Sequence, residues 1–305
     1  MILRREHLGQ HPAVFRSMTG LTVAAFDRML PGLLTAFAAA RRRRLDRPDR
    51  RRAQGGGDAF DLAVADQFLL TVVWLRHYPT QEALGYLFGV SDSTALRAVR
   101  RCRPVLEAQG KDTMRLPDPG RFNRRPRPAL LKATPQLAVI VDTFEQRTHR
   151  PQRRQRACYS GKKKAHTIRS QVAVDEDGRI VDVGPSRPGP WADLKVFRRS
   201  GLAGRLARAK VGVLGDLAYL GVDGRVKGLR GAPPRRKPRG RGRPPGDKRY
   251  NRAFARRRVK GEHGIGRRRR FQALSAVNRH GRKGHEARVR AVAGLVNRML
   301  DQKAA

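Results

Sequence analysis

The sequence predicts an all-α N-terminal part joined to a C-terminal α/β domain. Two changes along the chain lead there. Up to about residue 103 apolar residues recur at helical spacing, as in "DLAVADQFLLTVVWLRHY" (61–78), where Leu62, Phe68, Leu69, Val72 and Val73 form a stripe. Beyond residue 135 the pattern becomes short β-branched runs, "LAVIVDTF" (137–144) and "VGVLGDLAYLG" (211–221). A basic, proline-rich connector, "LPDPGRFNRRPRP" (116–128), separates the two regimes. The 305 residues suffice for two modest domains. The expected divisions are 1–58, a helical segment and basic linker; 59–115, a helical domain; 116–134, a linker; and 135–305, the α/β domain.

The elements follow in order. Residues 12–40 read as helical, with Thr22 able to cap a turn that places Val23, Phe26 and Leu30 on one face. "RRRRLDRPDRRRAQGGGD" (41–58) reads as a linker that can touch phosphates. Thr80 caps "QEALGYLF", Gly89 makes a turn, and Ser91 caps "DSTALRAVRRCR". After the first strand, "HTIRSQVAVDEDGRIVDVG" (166–184) predicts two strands joined through Asp177-Gly178. "WADLKVFRRSGLAGRLA" (191–207) predicts a helix, and "APPRRKPRGRGRPPGDKR" (232–249) a basic disordered loop. Helices at about 250–275 and at 286–300 close the chain. No period of 20–50 residues recurs, which argues against a repeat array.

The formal charge is +43, and such a chain repels itself unless a polyanion is nearby. Nucleic acid is the leading partner and an anionic membrane the weaker one, and the helix-turn-helix read below makes double-stranded DNA the form expected. The longest apolar stretch, "PGLLTAFAAA" (31–40), is too short to span a bilayer and lacks the flanks of a signal peptide. Cys102 and Cys158 form neither a disulfide framework nor a metal-ligand spacing, consistent with a reducing cytoplasm. The Arg-, Ala- and Gly-heavy composition suggests a GC-rich bacterial source, and the expected location is the bacterial cytoplasm, in association with the nucleoid.

Residues 80–103 have the proportions of a helix-turn-helix. The second helix presents Ser91, Ser93, Thr94 and Arg97 near its start, where such a helix reaches base edges. Two ordinary packed helices with good caps would look the same, and the chain's charge favours the DNA reading. Lys162, Lys163 and Lys164, like "RRKPRGRGR" (235–243), suit phosphate contacts.

The acids are scarce and therefore informative. From residue 201 onward there are six, against 30 Lys and Arg. Asp142 is expected to end the strand "LAVIVD" and Asp216 the strand "VGVLGD". Acids at buried strand ends are costly unless paired or metal-bound. Mg²⁺ is usually held by one or two carboxylates plus substrate phosphate, and two ions about 3.5–4 Å apart suit phosphodiester chemistry. A strand-end cap or an arginine salt bridge is the plainer reading of either aspartate. Glu262 lies in "RRRVKGEHGIGRRRR" (256–270), with Arg258 four residues before it and Arg269 seven after on one helix face. It is either one half of a surface pair with Arg258, or a third metal ligand whose arginine neighbours hold DNA phosphate.

These stretches, "VIVDTFEQR", "GVLGDLAYLG" and "RRRVKGEHGIGRRRRFQAL", resemble the catalytic contexts of DDE-type insertion-sequence transposases, most nearly the insertion sequence five family. "YSGKKKAHTIRSQVAVD" (159–175), "PGPWADLKVFRRSGL" (188–202) and "YPTQEALGYLFGVSDSTALRAVRR" (78–101) resemble further parts of these enzymes, so the likeness covers roughly 12–300. It implies an RNase H-like catalytic domain preceded by an all-α helix-turn-helix domain, cut-and-paste DNA transposition, and a Mg²⁺ or Mn²⁺ requirement. It also implies Asp142, Asp216 and Glu262 as metal ligands, Arg258 and Arg269 on the element's end, and a homodimer. Asp193 is expected to be a helix-start acid. Two departures stand out: Ala255 where the family has Tyr, and Gly261 where it has an apolar residue. With Gly264 and Gly266, Gly261 makes three glycines, each costing about 1 kcal/mol against alanine, which predicts a weakened helix around Glu262. The alternative is a catalytically inactive or retained transposase-derived DNA-binding protein. A structural RNA-binding protein would explain the charge but not the acids at strand ends.

Overall fold

The computed structural model describes residues 2–46, 60–116, 138–209, 211–216, 219, 231–232 and 234–304. The predicted linker at 116–134, and most of the one at 41–58, lie outside these. Its contacts divide into two compact units: Met1–Asp112 with Arg270–Leu274 and Arg290–Ala305, and Thr113–Arg269 with Ser275–Val289.

The first unit is helical. Its helices are α1 (Arg5–Gly9), α2 (Pro12–Thr19), α3 (Val23–Leu45), α4 (Val64–His77), α5 (Gln81–Phe88) and α6 (Asp92–Asp112). The helical stretch expected over 12–40 is broken at Gly20, which takes φ +82°, and restarts where Thr22 Oγ1 accepts the Ala25 N–H at 3.2 Å. The helix α3 then runs through Leu45, into the stretch expected to be linker, with Arg42, Arg43 and Arg44 in its last turn, where cations suit the carbonyl end of a helix. It is long and apolar enough, by length and composition, to cross a membrane, which the shorter predicted run was not. Phe26, Met29, Leu33 and Phe37 are nevertheless buried, and edge-on ring contacts join Phe26 to Phe15 and Phe37 to Phe68. Against them packs α4, buried on every side from Gln67 to Leu75, as a central helix must be.

The second half of the closing helix, α12 (His285–Ala304), counts with this unit. Arg290 meets Glu107 at 3.2 Å and Arg298 meets Gln109 at 3.3 Å, while Gln302 accepts the Thr22 N–H. A division at 135 by composition does not show this, since the partners lie far apart along the chain.

The second unit is a mixed sheet with helices on it, an α/β arrangement consistent with the RNase H-like expectation. Among the described residues its strands are β1 (Ala138–Arg147), β2 (Tyr159–Ser160), β3 (Ala165–Val174), β4 (Ile180–Val183), β5 (Arg187–Pro188), β6 (Gly212–Leu214) and β7 (Gly231–Ala232), with a one-turn α7 (Gln155–Cys158) before β2. The order is β2-β3-β1-β6-β7, and β4 and β5 also pair with β3. β1 is antiparallel to β3 and parallel to β6, which is parallel to β7. The Asp-Gly turn between β3 and β4 is present, with Gly178 at φ +78°.

Alternation along β1 sorts its side chains onto two faces. Val139 and Val141 join Phe197, Leu202 and Leu206 in one core cluster. Those last residues belong to α8 (Asp193–Arg199) and α9 (Leu202–Arg208), expected as one helix but divided at Gly201, where φ is +71°. Ile140 faces the other way, toward Gly261 on α10 (Pro245–Arg267). That helix starts within the stretch predicted to be disordered. Pro245 stands in its first turn with Asp247, and Arg235 ties Asp247 down at 2.8 Å while lying over the Tyr250 ring. A 3₁₀ turn (Arg268–Arg270) and the short α11 (Gln272–Ser275) follow.

A buried polar network closes this unit. The fully buried His285 places Nε2 2.7 Å from Gln146 Oε1, and Nδ1 2.8 Å from Ser186 Oγ and 3.3 Å from Ser170 Oγ. Burial, with Arg288 adding to it, pushes its pKa down to about 3. The imidazole therefore stays neutral in the fold while the unfolded chain titrates near 6.5. Its contribution is complete above that pH and is lost as pH falls from about 6.5 toward 3, by up to about 1.4 kcal/mol per pH unit. Denaturant unfolding from pH 7 to 4 is expected to show a steeper loss for the wild type than for His285→Gln. Parallel curves would show that the imidazole does not couple folding to pH.

Candidate active site and nucleic-acid interface

The register of two strands brings the two aspartates together. β1 and β6 run parallel with Ala138, Val139 and Ile140 opposite Gly212, Val213 and Leu214. Two residues beyond the last pair, along either strand, come Asp142 and Asp216. Asp142 does not end its strand as expected: β1 continues to Arg147 because β3 pairs with it as far as Arg147↔Thr167. The carboxylate thus stands in the middle of a strand, and Asp216 just past the end of its own.

Burial is the main reason that the Asp142 carboxyl is pushed above its usual range. The Thr143 N–H, donating at 2.7 Å, and the charge of Arg258 pull it back, while Asp216 and Asp193 push it further up. Tyr219 stands among the same three acids. Its buried hydroxyl has no hydrogen-bond partner among the described residues, and burial, then Asp193, Asp142 and Asp216, raise its pKa well above normal.

Asp193 opens α8, as expected of a helix-start acid, yet it also belongs to this neighbourhood. It accepts from Thr143 Oγ1 and from Arg169, whose other terminal nitrogen pairs with Glu145 and whose Nε donates to Gly189 O at 2.9 Å. Thr143 therefore links the two acids, by its N–H to Asp142 and by its hydroxyl to Asp193. Sequence reasoning missed Thr143, Glu145 and Arg169. A Glu145 directly across from Arg169 is invisible until β1 and β3 are set in register.

Glu262 lies elsewhere on α10. Its side chain is 51% exposed and pairs with Arg258 at 3.0 Å, one turn away. Arg258 is the link, since it also lies within electrostatic range of Asp142. Among the described residues no group of three or more His, Cys, Asp or Glu is arranged to hold a metal ion. Two carboxylates do meet in Asp142 and Asp216, and Asp142 is half-buried with like charges as neighbours. Such a donor set fits a hard divalent cation, for which one or two carboxylates plus phosphate suffice.

Of the three glycines around Glu262 in α10, two have a packing reason. A Cβ at Gly261 would come within 2.3 Å of Ile140 Cδ1, and one at Gly264 within 2.3 Å of the Gly178 carbonyl oxygen. The helix sits too close to the sheet for any side chain there. The expected weakness from these two is thereby offset by close packing, and of the three around Glu262 only Gly266 faces open space. Arg269, expected at DNA, is exposed, and its carbonyl accepts from Ser275 Oγ at 3.0 Å. Its neighbour Arg268 is buried, 3.5 Å from the Phe144 ring centroid and within electrostatic range of Asp142; burial and Arg269 lower its pKa to about 10. Within a run of four arginines nothing local distinguishes the buried one.

In the helical unit Thr80 Oγ1 accepts from Ala83 N–H at 3.2 Å, and Gly89 ends α5 at φ +59°. Ser91 Oγ accepts the Thr94 N–H at 3.2 Å and lies 3.1 Å from Ser93 Oγ and 3.0 Å from Thr94 Oγ1. These hydroxyls cluster at the start of α6, with Arg97 exposed one turn later. Tyr86, 85% exposed on α5, was not singled out from sequence. Lys162, Lys163 and Lys164 occupy the exposed turn between β2 and β3.

Comparison with known proteins gives three matches. Residues 141–297 match the family described as DDE superfamily endonuclease. Residues 60–112 match the helix-turn-helix of DDE superfamily endonuclease. The probable transposase for insertion sequence element IS702 of Microchaete diplosiphon is 27% identical over 294 residues, covering 95% of each chain.

Proposed function

The chain belongs to the DDE superfamily endonucleases, and from that premise we propose that it is a DNA transposase that cleaves and rejoins the strands of an insertion sequence. The observation that carries the reading is the meeting of Asp142 and Asp216 across adjacent parallel strands. These two would hold Mg²⁺ or Mn²⁺, with Glu262 completing the set when its pairing with Arg258 is exchanged for the cation. The ion would supply activation of an attacking oxygen and neutralisation of a leaving one. Thr143 orients the Asp142 carboxylate through its N–H. The guanidinium groups of Arg258 and Arg268, on the same side of the sheet as Asp142, would hold the scissile phosphate. Ser91, Ser93, Thr94 and Arg97 would meet DNA at the start of α6, while Lys162, Lys163, Lys164 and Arg269 would contact phosphates away from the reacting bond. A homodimer is proposed because two element ends must be joined, and a bacterial cytoplasm because the substrate is there. Placement in the insertion sequence five group rests on the residues around Glu262.

The test supplies a plasmid carrying the element's terminal repeats and Mg²⁺. Asp216→Asn and Glu262→Gln should each lose cleavage while retaining DNA binding in a mobility-shift assay. If both variants cut as the wild type does, the chain binds DNA without using these acids.

A further inference from the structure

We infer that the helical unit holds a second DNA subsite, apart from the start of α6, that takes one unstacked nucleotide. It is a cavity of about 250 Å³ between the end of α3 and the middle of α6. Phe37, Phe60 and Val105 make its apolar wall. Arg41, Arg44, Arg100 and Arg101 line it as well. The inference rests on the reading that the chain binds DNA, and adds where and in what form a nucleotide is held.

The electrostatics carry the first half. Guanidinium groups of Arg41 and Arg101 lie over the same Phe60 ring, at 5.0 and 4.6 Å from its centroid. Two cations are thus gathered on one aromatic ring, with two more beside them. Among the described residues no carboxylate pairs with any of the four. Arg101 feels Arg44, Arg97 and Arg41 as repelling neighbours. Like charges so placed destabilise the unit until an anion arrives, and phosphate is the anion that arginine forks match.

The apolar wall carries the second half. A duplex backbone resting on the arginines would leave the cavity unused. Phe37 and Val105 are buried side chains, and Phe60 is half-buried, so the space offers dry contact for a flat ring. A base turned out of its stack supplies such a ring directly attached to a phosphate. Aromatic stacking and an arginine rim together are the usual means of holding unpaired nucleotides. The position agrees: Arg97 and Arg101, four residues apart, continue one face of α6 from the turn that would meet DNA.

The experiment uses the full chain and three short duplexes of one sequence: blunt, with a one-nucleotide 3′ overhang of 2-aminopurine, and with an abasic residue in the overhang. The wild type should bind the 2-aminopurine duplex about fivefold to a hundredfold more tightly than the other two, with altered fluorescence. Phe60→Ala should remove that preference, so that the 2-aminopurine duplex binds no more tightly than the blunt one. Ala40→Phe, which fills the cavity without replacing an arginine, should do the same, and a melting curve establishes that each variant folds. Arg101→Gln should lower the salt slope of binding by about one for every duplex. Equal affinity of the wild type for all three duplexes, with no fluorescence change, overturns the nucleotide subsite while leaving DNA binding intact. Failure to bind any duplex would instead overturn the DNA reading on which it rests.

Discussion

Asp142→Asn is expected to abolish strand cleavage and, in the same protein without metal, to raise the melting temperature. Both effects follow from a half-buried carboxylate whose neighbours are Asp216 and Asp193. Its pKa is raised in the fold, so the folded state favours the protonated form more than the unfolded chain does. The destabilisation is therefore present above the folded pKa, and it is relieved as pH falls through that value. Asparagine removes the charge, keeps the shape, and can still accept the Thr143 N–H. Loss of a proposed metal ligand should reduce activity by more than the roughly tenfold to hundredfold that follows loss of a supporting contact. Added Mg²⁺ should raise the melting temperature of the wild type, by linkage, and do so far less in the variant. Cleavage assays and thermal melts with and without Mg²⁺ check this. A variant that melts lower than the wild type, or cuts at its rate, would remove Asp142 from the proposed centre.

Gly264→Ala is expected to be the most damaging small substitution in α10, and Gly266→Ala to be mildly beneficial. By helix propensity alone both should stabilise, by up to about 1 kcal/mol. At Gly264 the new methyl would meet the Gly178 carbonyl oxygen at 2.3 Å, and backbone cannot swing aside as a side chain can. Overpacking of that kind costs about 1–3 kcal/mol, enough to exceed the propensity gain. Gly266 meets nothing within 4 Å, so there the gain is unopposed. Denaturant unfolding of both variants measures the difference, and cleavage by Gly264→Ala should fall with it because α10 carries Arg258 and Glu262. If both variants gain stability equally, the helix does not lie against the turn as described.

Much of this was legible in the residues. Thr22, Thr80 and Ser91 cap where their spacing said, because an N-cap is a local contract between a hydroxyl and an N–H three residues on. The Asp-Gly turn and the buried runs at 139–141 and 211–214 are local in the same way. What escaped depends on partners distant in sequence. That Asp142 is mid-strand depends on β3, which continues the ladder past it. The glycines looked like helix breakers because composition cannot show a sheet pressed against them. Arg268 could not be told from Arg267, Arg269 and Arg270 by type. The allegiance of Arg290 and Arg298 to the helical unit rests on Glu107 and Gln109, some 180 to 190 residues earlier. The pairing of Glu262 with Arg258 was readable from their four-residue spacing, and the structure contains it.

The three rungs joining β1 to β6 carry a consequence for how the gene can vary. Insertion or deletion of one codon in either strand would rotate every following side chain by half a turn of the pleat, sending one aspartate toward the hydrophobic layer behind the sheet. Point changes among Val139, Ile140, Val213 and Leu214 should be far better tolerated than a shift in their number. Drift in this lineage should therefore alter the identity of these residues long before it alters the count between them.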